Sequence, residues 1–133
     1  MKKELQTQLV EKYPKIFQEV GKSPQESCMA FGIECGDGWY WLIDNLCKSL
    51  QFDIDNRGDI YPQVVASQVK EKFGGLRFYV NSANPEQYAV IDLAESMSYA
   101  MCEKCGSTED VKQVGQWIQT LCLKCRESKT PDS

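Results

Sequence analysis

Residues 102–125 read CEKCGSTEDVKQVGQWIQTLCLKC, and the spacing of their cysteines organises the last third of the chain. Cys102 and Cys105 form one C-x2-C pair and Cys122 and Cys125 a second, with sixteen residues between them. A C-x2-C turn brings two sulfurs to one side of a tight knuckle, and a second knuckle completes a tetrahedral shell of thiolates. Soft sulfur donors favour zinc, with iron as the rival occupant. Gly106 follows the first knuckle, where the chain must turn to aim backbone N–H groups at sulfur, and GQWIQTL (115–121) reads as a strand leading back to the metal. The competing readings are unrelated cysteine pairs or a redox C-x-x-C, and two pairs at this spacing favour zinc. The chain itself supplies all the ligands, so no coordination position is left for an activated water. One structural zinc is expected, not a catalytic one.

Immediately upstream, residues 85–101 predict a helix. Asn84 is its N-cap, Pro85 stands at N1 and Gln87 at N3, a capping-box arrangement, and Val90, Leu93, Ala94, Met97 and Met101 make the expected buried stripe. Residues 64–73 and 76–81 predict a hairpin turning at Gly74-Gly75. That register puts Val69, Phe73, Leu76, Phe78 and Val80 on one face, with Glu71 on the same side, and Lys70, Lys72, Arg77 and Tyr79 on the other. Trp39, Leu42, Ile43, Leu46 and Leu50 form the apolar stripe of a helix over 39–51, with Asp37 placed to cap it. Residues 21–38 read as loop with one short strand and 52–62 as a turn-rich connection. The start of that connection resembles a calcium loop, but Arg57 and Val64 stand where ligands are needed, and calcium is rejected. Leu5, Leu9 and Tyr13 mark an amphipathic helix over 3–13, with Pro14 opening a continuation through Ile16, Phe17 and Val20. The expected fold is α+β: a short antiparallel sheet packed by two or three helices, with a C-terminal zinc ribbon or knuckle. Residues 1–101 are the core, 102–126 the metal module packed on it and 127–133 a flexible tail.

Composition narrows the function. The 133 residues are 42% hydrophobic and 11% aromatic, enough for a packed core. The N-terminus MKKELQTQLVEKY lacks the apolar run of a secretory signal, and no segment approaches the roughly 18 apolar residues of a membrane span. A soluble cytoplasmic protein with no membrane partner is expected. A net charge of −4 argues against a general polyanion binder, although a local basic patch remains compatible with it. The chain contains no histidine, which removes the usual acid–base residue near neutral pH, any Cys–His or Ser–His dyad and any imidazole ligand. An odd count of seven cysteines fits a metal site better than a disulfide framework, with Cys28, Cys35 and Cys47 left as thiols.

Outside the metal module, chemistry concentrates in two places. GIECGDGWY (32–40) brings Glu34, Cys35 and Asp37 to a helix entrance, as a ligand loop would. On the plainer reading Asp37 caps, the glycines turn and Cys35 is a small buried residue. With no histidine to activate it, Cys35 is a poor candidate nucleophile. The Lys70, Lys72, Arg77 and Tyr79 face of the hairpin suits a phosphate, a nucleotide or a nucleic-acid strand, or is an ordinary solvated sheet face.

Taken together, FGIECGDGWYWLIDNLC (31–47), VASQVKEKFGGLRFYV (65–80) and the paired C-x2-C module resemble a family of short proteins encoded in bacteriophages, prophages and bacterial genomes. The resemblance covers roughly residues 28–125 and implies a phage or mobile-element setting, with no activity attached to it. The leading expectation is a small, non-enzymatic, zinc-stabilised protein that engages and inhibits a host macromolecule, a host protein foremost. The alternative is a nucleotide or nucleic-acid binder using the Lys70, Lys72, Arg77 and Tyr79 face. A third reading is a small hydrolase relying on Glu34 or Asp37.

Overall fold

The computed structural model describes residues 1–128. The fold is α+β. Its elements are α1 (Lys3–Lys12), β1 (Ile33–Glu34), α2 (Tyr40–Asn56), β2 (Ala66–Lys72), β3 (Gly75–Val80), α3 (Pro85–Ser98), β4 (Lys112–Val114), β5 (Gln119–Leu121) and α4 (Leu123–Glu127). Single 3-10 turns at Cys28–Phe31 and Asp37–Trp39 flank β1. The main sheet runs β1-β2-β3, with β1 parallel and β3 antiparallel to β2, and β4-β5 form a separate ribbon. The main sheet is therefore mixed, because β1 joins the expected hairpin as a third strand.

The hairpin turns one residue earlier than its glycines suggest. Lys72 pairs with Gly75, Glu71 with Leu76, Lys70 with Arg77 and Val69 with Phe78, which leaves Phe73 and Gly74 in the turn. Both have positive φ, 54° and 85°, as a two-residue turn between twisted strands requires. Gly75 serves a different need. A Cβ there would overlap the ring of Tyr99, so the missing side chain is used for close packing within the strand. Every cross-strand partner moves by two residues, and the side-chain period is also two, so the expected faces survive. The exception is Phe73, which leaves the apolar face for the tip, where it is 68% exposed. Glu71 turns back to accept the Gly74 N–H at 2.7 Å.

The core lies on one side of this sheet. Ile33, Val69 and Phe78 form a buried row across its three strands, and Phe17 packs edge-on against Phe78. Leu42, Ile43, Leu46, Cys47, Leu50 and Ile54 of α2 are buried with them. This helix runs on through Asn56, past its expected end, because Ile54 continues the buried stripe. Trp39 precedes the helix, fully buried, with its indole N–H donating to the Met101 carbonyl at 2.8 Å. Residues 14–20 form turns and not a helical continuation, yet Ile16 and Phe17 still bury fully.

The capping box on α3 is present in both directions, with Asn84 Oδ1 accepting from Gln87 N–H and Gln87 Oε1 accepting from Asn84 N–H. Its inward stripe, however, is Gln87, Ile91, Ala94 and Ser98; Leu93 and Met97, expected inside, are 62% and 41% exposed. The polar members explain the rotation. Ser98 Oγ accepts the Leu76 N–H at 2.9 Å and Glu95 Oε2 the Phe78 N–H at 2.7 Å, so α3 satisfies donors along the outer edge of β3. Gln87 Nε2 donates to the Pro62 carbonyl at 2.9 Å. A hydrophobicity pattern rates these polar positions as outward, and it misplaces the face. At the C-terminus, Glu127 belongs to α4, and the rest of the expected tail, from 129, lies outside the described residues.

Candidate metal centre

The Cys102–Gly106 segment closes on itself through Gly106 N–H to Cys102 O at 2.8 Å, with Gly106 at φ 85°. Cys122 sits at the N-cap of α4, where its Sγ accepts from the Cys125 N–H at 3.4 Å. These two knuckles bring the Sγ atoms of Cys102, Cys105, Cys122 and Cys125 within 4.8 Å of one another, and Cys105 and Cys122 lie 3.6 Å apart. A zinc–sulfur bond of about 2.3 Å in a tetrahedron sets sulfurs about 3.8 Å apart. The donor set and its spacing fit a four-coordinate, soft, tetrahedral ion.

Cys102, Cys122 and Cys125 are buried and Cys105 is exposed, at the mouth of a cleft of about 220 Å3 that Ser107, Leu123 and Lys124 also line. Burial pushes the Cys102 thiol up, but the backbone N–H groups of Cys122, Cys105 and Lys104 overcome this and bring it down to about 6. Burial and the surrounding sulfurs push Cys125 up to about 12. The backbone N–H groups around Cys102 thus favour its thiolate form. Of the nearby cations, Arg126 is committed to the scaffold. It donates to the Leu121 carbonyl at 2.9 Å and pairs with Asp110 at 3.0 Å.

The glycine-rich loop is where this module sits. Gly38 N–H donates to Glu103 O at 2.7 Å and Gly36 N–H to Glu103 Oε2 at 2.8 Å. A Cβ on Gly36 would overlap the Glu103 carbonyl; one on Gly38 would overlap Cys102 O and lie 2.6 Å from Gly106 N. The glycines let two backbones meet. A second contact ties the hairpin turn to the ribbon: the buried hydroxyl of Thr120 donates to Gly74 O, and Gln113 Nε2 reaches Thr120 Oγ1 at 3.1 Å and Tyr99 O at 2.8 Å.

Glu34 and Asp37 are separated by this arrangement. Glu34 is exposed in β1, directly opposite Lys70, so an outer row of Glu34, Lys70 and Arg77 crosses the sheet. Lys72 and Tyr79 lie on the same face by alternation. Asp37 belongs to the 3-10 turn before α2 and does not cap it; Oδ1 accepts the Lys2 N–H at 2.7 Å. Cys35 is buried, its thiol pushed up to about 12 by burial and by Glu103, and burial holds Cys47 well above the ordinary thiol range. Neither environment favours a nucleophilic thiolate. Arg77 donates to Tyr99 OH at 3.1 Å and to Leu76 O at 3.0 Å.

Sequence reasoning missed Thr120, because a lone threonine in a short strand carries no pattern that announces a buried bridge. It also missed the tips. Trp117, read as a strand residue, stands in the β4–β5 turn and is 90% exposed, and Ile118 beside it lies against Gly74. Among the described residues, no helix is long and apolar enough to cross a membrane. In comparisons with family models, curated proteins and solved structures, none matches this chain.

Proposed function

We propose that the chain is a zinc-stabilised binding protein of phage or prophage type, which works in the bacterial cytoplasm by engaging and inhibiting a host macromolecule. The observation that carries this reading is the closed cluster of cysteine sulfurs within 4.8 Å, each supplied by the chain itself. Such a shell supplies folding energy and leaves no open position for a reacting water. The metal would then be a scaffold, and what it holds out is the β4–β5 turn, whose Trp117 is 90% exposed. Exposed aromatics on a rigid turn suit recognition, since a few aromatic and arginine anchors carry most of an interface's energy. The phage setting rests on the resemblance of residues 28–125.

Elemental analysis of the purified protein tests the scaffold: one zinc per chain is expected, and iron or substoichiometric metal contradicts it. Affinity capture from bacterial lysate tests the binding role. A stoichiometric host partner that survives washing is expected, and its absence contradicts the reading. A second reading has its own support: the direct Lys70–Arg77 pair with Tyr79 on the same face favours a nucleotide or nucleic acid as the ligand.

A further inference from the structure

The most conspicuous unused feature is the aromatic tip of the main hairpin. Phe73 holds a left-handed conformation, φ 54°, that a bulky side chain adopts only at a cost, and it leaves most of its ring in water. Asparagine or glycine would satisfy the turn better, so the fold gives no reason for a phenylalanine there. Trp117 on the adjoining β4–β5 turn is equally unexplained by packing. The two turns are joined through Gly74, which meets Ile118 and Thr120.

What lies behind the tip has a consistent chemistry. Lys72 sits 5.6 Å from the Phe73 ring centroid, and Lys70 and Arg77 follow as a direct cross-strand pair on the same face. Tyr79, 41% exposed and paired with Gln68, closes the series. Alternate residues on one strand face are about 6.6 Å apart, so Lys72 and Lys70 offer cations at regular intervals between aromatic ends. Glu34 is the acid in this row, and Glu19 and Glu26 in the cleft next to Tyr79 and Lys70 limit the track at its far end.

We propose that the hairpin face from Phe73 through Lys72, Lys70 and Arg77 to Tyr79, with Trp117 of the adjoining β4–β5 turn at its end, binds a short stretch of single-stranded nucleic acid. Bases stack on the aromatic rings and phosphates meet the cations between them. The inference rests on the second reading above and narrows it. Duplex is disfavoured because its bases are already stacked and cannot use the free ring faces. A protein partner would need no cations spaced between the rings.

The test uses the zinc-loaded full chain and a labelled oligothymidylate of about twelve nucleotides, read by fluorescence anisotropy. Binding is expected to weaken between about 50 and 200 mM salt, with a log–log slope near −2 for three neutralised phosphates on a single strand. Phe73→Asn, which suits the turn and so keeps the fold, and Trp117→Ser should each weaken binding about tenfold, and Lys72→Glu more. Absence of an anisotropy change at low salt, equal affinity for a duplex of the same length, or indifference to Phe73→Asn and Trp117→Ser would overturn the proposal. Binding of the duplex or of a mononucleotide alone would spare the broader nucleotide reading, whereas failure of all three probes would remove both. A host protein captured through Phe73 and Trp117, without oligonucleotide binding, would assign this surface to a protein and overturn the inference.

Discussion

The α+β core and the metal module are held together by different forces. Among the described residues, the core cluster contains 21 buried side chains, from Leu9 to Met101, whereas the module's own cluster has four: Cys102, Leu121, Cys122 and Cys125. At about 25 cal/mol per Å2 of buried apolar surface, the first can fold by exclusion of water and the second cannot. The module depends on its sulfurs and on two seats in the core, the Gly36–Gly38 loop and the Phe73–Gly75 turn. Two regions in contact can therefore have separable stabilities, and the seats should respond to the loss of either.

Depriving the proposed zinc site of its metal should break this comparison open most widely. A structural zinc contributes about 10–16 kcal/mol of apparent binding energy, as much as a whole domain's stability. Cys122→Ser or chelation is expected to unfold residues 102–126 while the core keeps its helical circular dichroism. Loss of both together would mean that the core is not autonomous.

The Gly38→Ala variant attacks the seat from the other side. Its Cβ would overlap the backbone of the first knuckle, so a cost of about 3 kcal/mol and weaker zinc retention are expected in denaturant and metal-competition titrations. An unchanged midpoint would show that the close approach is dispensable. Thr120→Val keeps the volume and removes the buried donor to Gly74 O, with an expected loss of about 1–2 kcal/mol in thermal unfolding. Phe73→Asn should have the smallest effect and the opposite sign, a gain of up to about 1 kcal/mol from relieving the left-handed turn. A clear destabilisation would mean that the Phe73 ring contributes to packing.

The legible parts of this molecule were those with a local cause. The cysteine spacing follows from knuckle geometry, the capping box from three residues at Asn84–Gln87, and the α2 stripe from helical period. The face bearing Lys70, Lys72, Arg77 and Tyr79 survived a wrong turn position because strand faces repeat every two residues. What escaped depends on distant contact. Nothing near Gly36 or Gly38 says that another backbone will press against them, and they read either as turn glycines or as part of a ligand loop. Leu93 and Met97 were assigned inward because hydropathy cannot anticipate that Glu95 and Ser98 are needed at the edge of β3. The Gly74-Gly75 pair invited a turn, but its second glycine was required by Tyr99, and Phe73 took the vacant position.

Hydrogen exchange read by mass spectrometry, with and without a zinc chelator, tests the central claim most directly. Chelation should raise exchange strongly across residues 102–126 and, to a lesser degree, in the seats at 33–39 and 73–76, while the interiors of α2 and β2 stay protected. Exchange that rises uniformly along the chain, or that does not change in 102–126, would contradict a metal-held module docked on an independently folded core.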